Sequence, residues 1–167
     1  VPVPTRTLGS AVPSAFQTST NDTERPTGSD DSDPKFGDDG SSTVTAADAD
    51  QWLASRGRPG SVIVGDVAEI ESLVQARDLA LTHAPLLGWV NNAAIVATDS
   101  VHVPDPTAVS KLLRVNVEGT YWGSSVAVRT FLAQRSGGSI VSLSSIHGRA
   151  AFPNWAAYEF SKAGIFG

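Results

Sequence analysis

Short apolar runs alternate with helical patterns from residue 45 onward, and this alternation constrains the fold more than any other feature of the sequence. The runs are SVIVG (61–65), LLGWV (86–90) and SIVSLSS (139–145). Short runs of this kind, rich in β-branched residues or bounded by glycine, are typical of buried strands. Strands that are separated by helices form a parallel sheet. The sequence therefore predicts an α/β fold that binds its ligands at the carboxyl ends of the strands.

Helices are predicted where apolar residues recur at a spacing of three or four. TAADADQWLASRG (45–57) predicts a short helix that ends at Gly57, and Asp66 is a candidate cap for a second helix. Residues 106–135 carry one long helical pattern. A last helix is predicted to begin near Asn154.

Residues 1–45 have a different composition, rich in Ser, Thr, Pro, Gly and Asp. The stretch 21–40 holds seven acidic and two basic residues and has no helical or strand period. Such a segment buries too little apolar area to offset the entropy lost on ordering. We therefore expect residues 1–45 to be disordered, or to be a misread part of the gene, and residues 46–167 to form the structured domain.

Composition also argues against several classes of function. The net charge of -5 and the pI of about 5.0 argue against a nucleic-acid partner, which would need a basic face. No run of 18 apolar residues occurs, so we expect no membrane span. Cysteine is absent and the three histidines lack the spacing of ligands, so we expect no metal site. The lack of cysteine fits a reducing compartment, and we expect a cytoplasmic protein.

Tyr158 and Lys162 are four residues apart in a segment with a helical pattern, so they share one face of a helix. A lysine ammonium beside a tyrosine favours the phenolate, which makes the pair a plausible general acid and base. The alternative is a surface helix that carries an aromatic residue and a cation by chance. The pair alone does not decide between these interpretations.

Four separated motifs occur in a consistent order around this pair. They are GWVNNAA (88–94), VNVEGTYWG (115–123), GGSIVSLSSIHG (137–148) and YEFSK (158–162). Together they resemble the short-chain dehydrogenase/reductase family. The resemblance implies a Rossmann-like, doubly wound parallel sheet, NAD or NADP as cofactor, and a small-molecule alcohol or carbonyl compound as substrate. It also implies a homo-oligomer for the full-length family member, paired through the helices at 106–135 and from 154 onward.

The resemblance assigns catalytic roles to four residues. Tyr158 would donate a proton to a substrate carbonyl or accept one from an alcohol, and Lys162 would bind the nicotinamide ribose and favour the tyrosine phenolate. Ser145 would hydrogen-bond the substrate oxygen. Asn116 would hold a water that links Lys162 to solvent.

Cofactor contacts are implied at two further places. Asn91 and Ala93 belong to the turn 91–94, which matches the family's Asn-Asn-Ala-Gly turn beside the cofactor, with alanine in place of the final glycine. Asp66 and Val67 match the pair that contacts the adenine. Phe160 stands where the family has a small residue, and the sequence leaves open whether it packs against the sheet or crowds the helix.

Other parts of the family pattern are missing from the sequence. Residues 1–60 contain no Thr-Gly-x-x-x-Gly-x-Gly turn, which binds the cofactor pyrophosphate in the family. We therefore expect a partial sheet that lacks the first strands and the C-terminal strands, in a fragment with little activity of its own. The absence of methionine fits that interpretation. The alternatives are a non-catalytic interaction module derived from the family, or an artefact of gene prediction. The substrate and the preference for NAD or NADP cannot be read from the sequence.

Overall fold

The structure is a computed structural model, and it describes residues 46–57 and 60–166. The segment 1–45, for which disorder is predicted, lies outside these residues. Within these described ranges, two strands and five α-helices follow one another, together with a π-helical turn and two 3-10 turns. The strands are β1 (Gly88–Asn91) and β2 (Ser139–Ser142). The helices are α1 (Ala46–Ser55), α2 (Ile70–Leu81), α3 (Pro106–Leu113), α4 (Gly119–Gln134) and α5 (Ala156–Ala163).

The sheet formed by the described residues has two parallel strands, which confirms the α/β prediction. Gly88 lies opposite Ser139, and the register continues to Asn91 opposite Ser142. Side chains of a strand alternate between the two faces of a sheet. Half-buried positions of both strands therefore face the helices, whereas Val90 and Val141 are exposed on the outer face.

The prediction of a strand at 61–65 is wrong for the described residues. No ladder joins this segment to β1 or β2, and only Val64 takes part in a single β-bridge. The Val64 side chain is 69% exposed. An apolar β-branched run becomes a strand only where a neighbouring strand offers a ladder, so composition alone was not sufficient.

The segment before α2 differs in detail from the sequence expectation. Glu69 is the N-cap of α2, and its side chain makes no capping hydrogen bond. Asp66 lies further upstream, where its Oδ1 accepts a hydrogen bond from the Ala68 N–H at 2.9 Å. Asp66 therefore shapes the turn that leads into α2, and it does not cap the helix.

The long helix predicted at 106–135 is present but interrupted. Asp105 caps α3 by accepting hydrogen bonds from Thr107 N–H and Ala108 N–H, and Pro106 occupies the first turn. A π-helical turn, Arg114–Glu118, then separates α3 from α4. Such turns are rare in proteins as a whole, but those that occur are often found at functional sites. This one carries Asn116.

Two apolar clusters hold the helices against the sheet. Both pack against Trp89 of β1, so this side chain joins α2 and α4 to the strand. The first cluster is centred on Val67, Leu73, Val115 and Val126, and the second on Ala80, Leu86, Ala127 and Phe131. Burial of such side chains contributes about 1.5–3 kcal/mol each, which fixes the strand ends that carry the candidate site.

Candidate active site

Lys162 is held by the chain that leaves β2. Its Nζ donates a hydrogen bond to the Leu143 carbonyl at 3.0 Å, and its side chain is nearly buried. Ser144 Oγ donates in turn to the Lys162 carbonyl at 2.7 Å. Gly148 approaches the same carbonyl so closely that a Cβ there would overlap it. The residues after β2 and the last turn of α5 therefore form one packed unit.

Burial also changes the acidity of this lysine. Loss of water around the ammonium lowers the pKa of Lys162 from its ordinary value of 10.5, because the charged form is the one that solvent stabilises. A buried lysine with a lowered pKa, placed beside another ionisable group, is a common feature of functional sites.

Tyr158 lies one turn before Lys162 on α5, as the spacing predicted. The Lys162 Nζ is 5.8 Å from the centre of the Tyr158 ring. This ring makes T-shaped contacts with two other rings, those of His147 at 5.6 Å and Trp155 at 5.7 Å between centroids. The phenol is thus held in a cluster of rings with a cation on one side.

Ser145 begins the 3-10 turn Ile146–Gly148, and its Oγ accepts a hydrogen bond from the His147 N–H at 3.2 Å. The His147 ring in the same turn contacts Tyr158. His147 therefore contacts both residues, Ser145 through its backbone N–H and Tyr158 through its ring.

Asn116 is buried in the π-helical turn, and its side chain connects two other segments. Its Oδ1 accepts from the Ile95 N–H at 2.8 Å, and its Nδ2 donates to the Ile95 carbonyl at 2.9 Å and to Ser161 Oγ at 3.0 Å. Ser161 Oγ donates to the Tyr158 carbonyl at 2.7 Å. Asn116 is thereby linked to α5 at the residue that precedes Lys162. Sequence reasoning did not assign this linking role to Ser161, although the residue stands between the tyrosine and the lysine.

A second connection to α5 comes from Asp99, which sequence reasoning missed. Its Oδ1 accepts a hydrogen bond from the Ala157 N–H at 3.0 Å, and its own N–H donates to the Asn154 carbonyl at 2.9 Å. The carboxylate thus satisfies a free N–H in the first turn of α5. No local signal could have identified it, because the two residues are 58 positions apart.

Asn91 ends β1 and directs its side chain toward α4. It accepts from Trp89 Nε1 at 2.7 Å and donates to Ser124 Oγ at 2.9 Å and Ser142 Oγ at 3.0 Å. These bonds hold the start of the turn 91–94, which also contains the half-buried Ala93. The side chain of Asn91 thus faces protein partners, and its position fixes the backbone that follows.

Asp66 and Val67 lie in the turn before α2, at some distance along the chain from the residues above. Val67 is buried against Gly119, whereas Asp66 is exposed. A cavity of about 430 Å³ lies beside Asp66, and its lining also includes Val115 and Arg114. Arg114 pairs with Glu69 at 2.5 Å. The cavity therefore presents a carboxylate, a cation and apolar surface to a ligand.

Phe160 neither packs against the sheet nor crowds its helix, since its side chain is 68% exposed. Among the residues that the structure describes, no cluster of three or more His, Cys, Asp or Glu side chains could hold a metal ion. No helix within 46–57 or 60–166 is long and apolar enough to cross a membrane.

Comparison with known proteins places these features in a family. A family model described as short chain dehydrogenase matches residues 41–167. 2-(S)-hydroxypropyl-CoM dehydrogenase 3 from Xanthobacter autotrophicus is 36% identical over 134 residues, which cover 73% of this chain and 51% of the relative. The chain thus spans about half the length of that relative.

Two solved structures are similar in fold over 72% of the chain. A gluconate 5-dehydrogenase from Burkholderia cenocepacia, in complex with NADP and tartrate, matches with a TM-score of 0.64 and 26% identity over 47% of its own chain. An NAD+-bound xylitol dehydrogenase matches with a TM-score of 0.66 and 25% identity over 46% of its chain. With a family model that matches more than half of the sequence, and with this fold, the chain belongs to the short chain dehydrogenase family.

Proposed function

We propose that the protein is an NAD(P)-dependent oxidoreductase that interconverts an alcohol with a ketone or aldehyde. The observation that carries the proposal is the nearly buried Lys162 ammonium, one turn from Tyr158 and 5.8 Å from its ring. Tyr158 is therefore placed to exchange a proton with a substrate oxygen as a general acid or base.

The remaining roles follow from the positions of the other side chains. The Tyr158 hydroxyl gives its proton to a carbonyl oxygen, or its phenolate takes one from an alcohol. Ser145 Oγ hydrogen-bonds the same substrate oxygen and orients it. Asn116 holds α5 in place through Ser161, and it is the proposed site of a water that links Lys162 to solvent.

The described residues fit a nicotinamide cofactor at two places. The exposed Asp66 carboxylate beside the cavity of about 430 Å³ suits the exocyclic amine of adenine. Val67, Asn91 and Ala93 line a second, smaller cavity, which the proposed path of the cofactor includes. Lys162 suits the ribose hydroxyls at the nicotinamide end. When bound, the cofactor supplies or takes up the hydride. The NADP and NAD+ complexes of the two similar structures support either nucleotide.

Turnover of small alcohols with NAD and NADP, followed by the absorbance of the reduced nicotinamide, tests the proposal. We expect Tyr158→Phe to lower kcat by about 100-fold to 10,000-fold, because the general acid and base is lost. Tyr121→Phe is the matched control, since Tyr121 is the other tyrosine and lies exposed on α4. Equal and measurable turnover by the two variants would overturn the proposal.

We also propose that the 167-residue chain turns over slowly by itself. Residues 1–60 hold no glycine-rich phosphate turn, so the pyrophosphate lacks the contacts that hold it in the family. Calorimetric titration with NADH and NADPH is the test. Micromolar binding and robust turnover would contradict this expectation, whereas a folded chain with neither would favour the alternative of an interaction module.

A homo-oligomer is the proposed assembly. Three large apolar side chains, Tyr121, Val128 and Leu132, are exposed along α4, and Phe160 is exposed on α5. Such a patch favours a second copy of the same face. We expect Leu132→Glu to shift the sedimentation coefficient toward that of a monomer, and an unchanged coefficient would contradict the pairing.

A cytoplasmic location stays a prediction.

A further inference from the structure

His147 lies at the centre of a cluster of rings. Its imidazole is 4.4 Å from the Phe152 ring, 4.8 Å from the Trp155 ring and 5.6 Å from the Tyr158 ring, measured between centroids. The segment 149–155 therefore folds around the histidine before α5 begins. Ser145 starts the same 3-10 turn, so His147 lies two residues after the proposed catalytic serine and contacts the proposed catalytic tyrosine.

One nitrogen of this imidazole has an unusual environment. Nδ1 is buried and has no hydrogen-bond partner among the described residues. Its near neighbour is Glu159 Oε1, at 3.7 Å. The side chains of His147 and Glu159 are only 21% and 17% exposed, so solvent covers little of either group. A buried polar atom without a hydrogen-bond partner destabilises the fold. A hydrogen bond between His147 Nδ1 and Glu159 Oε1 would therefore stabilise it.

The same carboxylate oxygen also holds the loop. Glu159 Oε1 accepts a hydrogen bond from the Phe152 N–H. Glu159 follows Tyr158 directly on α5. A single oxygen thus faces the imidazole, binds the loop and belongs to the residue beside the tyrosine.

We propose that His147 and Glu159 form a positioning pair for Tyr158, which fixes the orientation of the phenol relative to Ser145. The inference deepens the proposed function, since it rests on Tyr158 as the proton donor. The imidazole makes a T-shaped contact with the phenol ring, and the carboxylate holds the imidazole and the loop in register with α5. Neither side chain needs to touch the substrate.

Fluorine NMR of the full chain tests the pair without any need for turnover. The chain has two tyrosines, so 3-fluorotyrosine in a Tyr121→Phe background labels Tyr158 alone. His147→Phe keeps a ring beside Tyr158 but removes the nitrogen. Glu159→Gln keeps an acceptor for the Phe152 N–H but removes the charge. We expect each variant to shift or broaden the Tyr158 signal, and the double variant to add nothing beyond the larger single effect.

His102→Phe is the matched control, because His102 is exposed and bonds to Ser100 in another loop. A Tyr158 signal that is unchanged in Glu159→Gln would overturn the proposal, as would effects of the two variants that simply add. If His147→Phe does not fold, Glu159→Gln decides the matter alone, together with amide exchange at Phe152.

Steady-state kinetics separate this inference from the proposed function. We expect Glu159→Gln to lower kcat by about tenfold with little change in KM, because a misplaced acid acts in the transition state more than in binding. Full activity of Tyr158→Phe would remove the proposed function. The NMR experiment would still show whether His147 and Glu159 orient the Tyr158 ring, because it does not depend on turnover.

Discussion

The Asn116 side chain is buried and connects three parts of the chain, which makes it a stabilising residue as well as a proposed catalytic one. Its loss leaves both the N–H and the carbonyl of Ile95 without their partners. Because unsatisfied buried groups cost about 1–3 kcal/mol each, we expect Asn116→Ala to lower the free energy of unfolding by about 2–4 kcal/mol. Urea unfolding measures this value. The exposed Asn92→Ala is the control, and equal losses in the two variants would refute the argument.

Lys162 gives the fold a pH dependence whose sign follows from burial. The pKa of Lys162 is lowered in the folded chain from 10.5, so between the lowered value and 10.5 the unfolded chain binds more protons. Stability rises with pH in such a window. We therefore expect the free energy of unfolding to increase as the pH approaches 10.5, and Lys162→Met to lose this increase. Lys111→Met, at an exposed lysine on α3, should keep it; if it does not, another group is responsible.

Residue positions were predictable from the sequence where they depend on local spacing. The separation of Tyr158 and Lys162 placed both on α5. The partners of these residues were not predictable. Asp99, Ser161 and Glu159 act through contacts that depend on how separate segments pack, and a one-dimensional pattern carries no record of that packing.

At the scale of elements, the approach of α4 to β1 depends on a glycine. Gly123 is buried, and a Cβ there would overlap Asn91 Oδ1 and lie 2.9 Å from Trp89 Nε1. We expect Gly123→Ala to destabilise the chain by about 1–3 kcal/mol, because both partners belong to the network that ends β1. Thermal unfolding is the measurement.

Gly164→Ala is the matched control for that substitution. Nothing lies within 4 Å of a Cβ at Gly164, and its backbone has a helical φ of -61°. Alanine should therefore be neutral there or stabilise by about 0.4–1 kcal/mol, through a less flexible unfolded chain. If both variants were neutral, the close packing of α4 on β1 would be in doubt.

Helices followed from the sequence more closely than strands, for a physical reason. A helix satisfies its own backbone hydrogen bonds, so the periodicity of apolar residues was enough to place α1, α2 and α5. The segment 61–65 has a strand composition but no ladder in the two-stranded sheet. The π-helical turn at Arg114–Glu118 was also unpredictable, because Asn116 bonds to a distant segment there.

At the scale of the whole molecule, the sheet has one covered face and one open face. Val90 and Val141 lie opposite each other in the register, and they are 61% and 53% exposed. Leu143 extends the open face beyond β2 and is 41% exposed. Adjacent apolar side chains of this kind form a patch that favours association. The face of the sheet opposite to α2 and α4 is therefore an exposed apolar surface that favours association.

Threonine substitutions on that face test its role in association. We expect the double variant Val90→Thr and Val141→Thr to bind less of a hydrophobic dye and to scatter less light at high concentration. Stability should change by only about 0.5 kcal/mol, because the side chains are exposed and threonine keeps the β-branch. Val101→Thr with Val103→Thr is the control, since both valines are 74% exposed in the loop between β1 and α3 and belong to neither strand. If the loop variant reduces scattering as much as the sheet variant, association depends on general surface hydrophobicity, and the open face of the sheet has no special part in it.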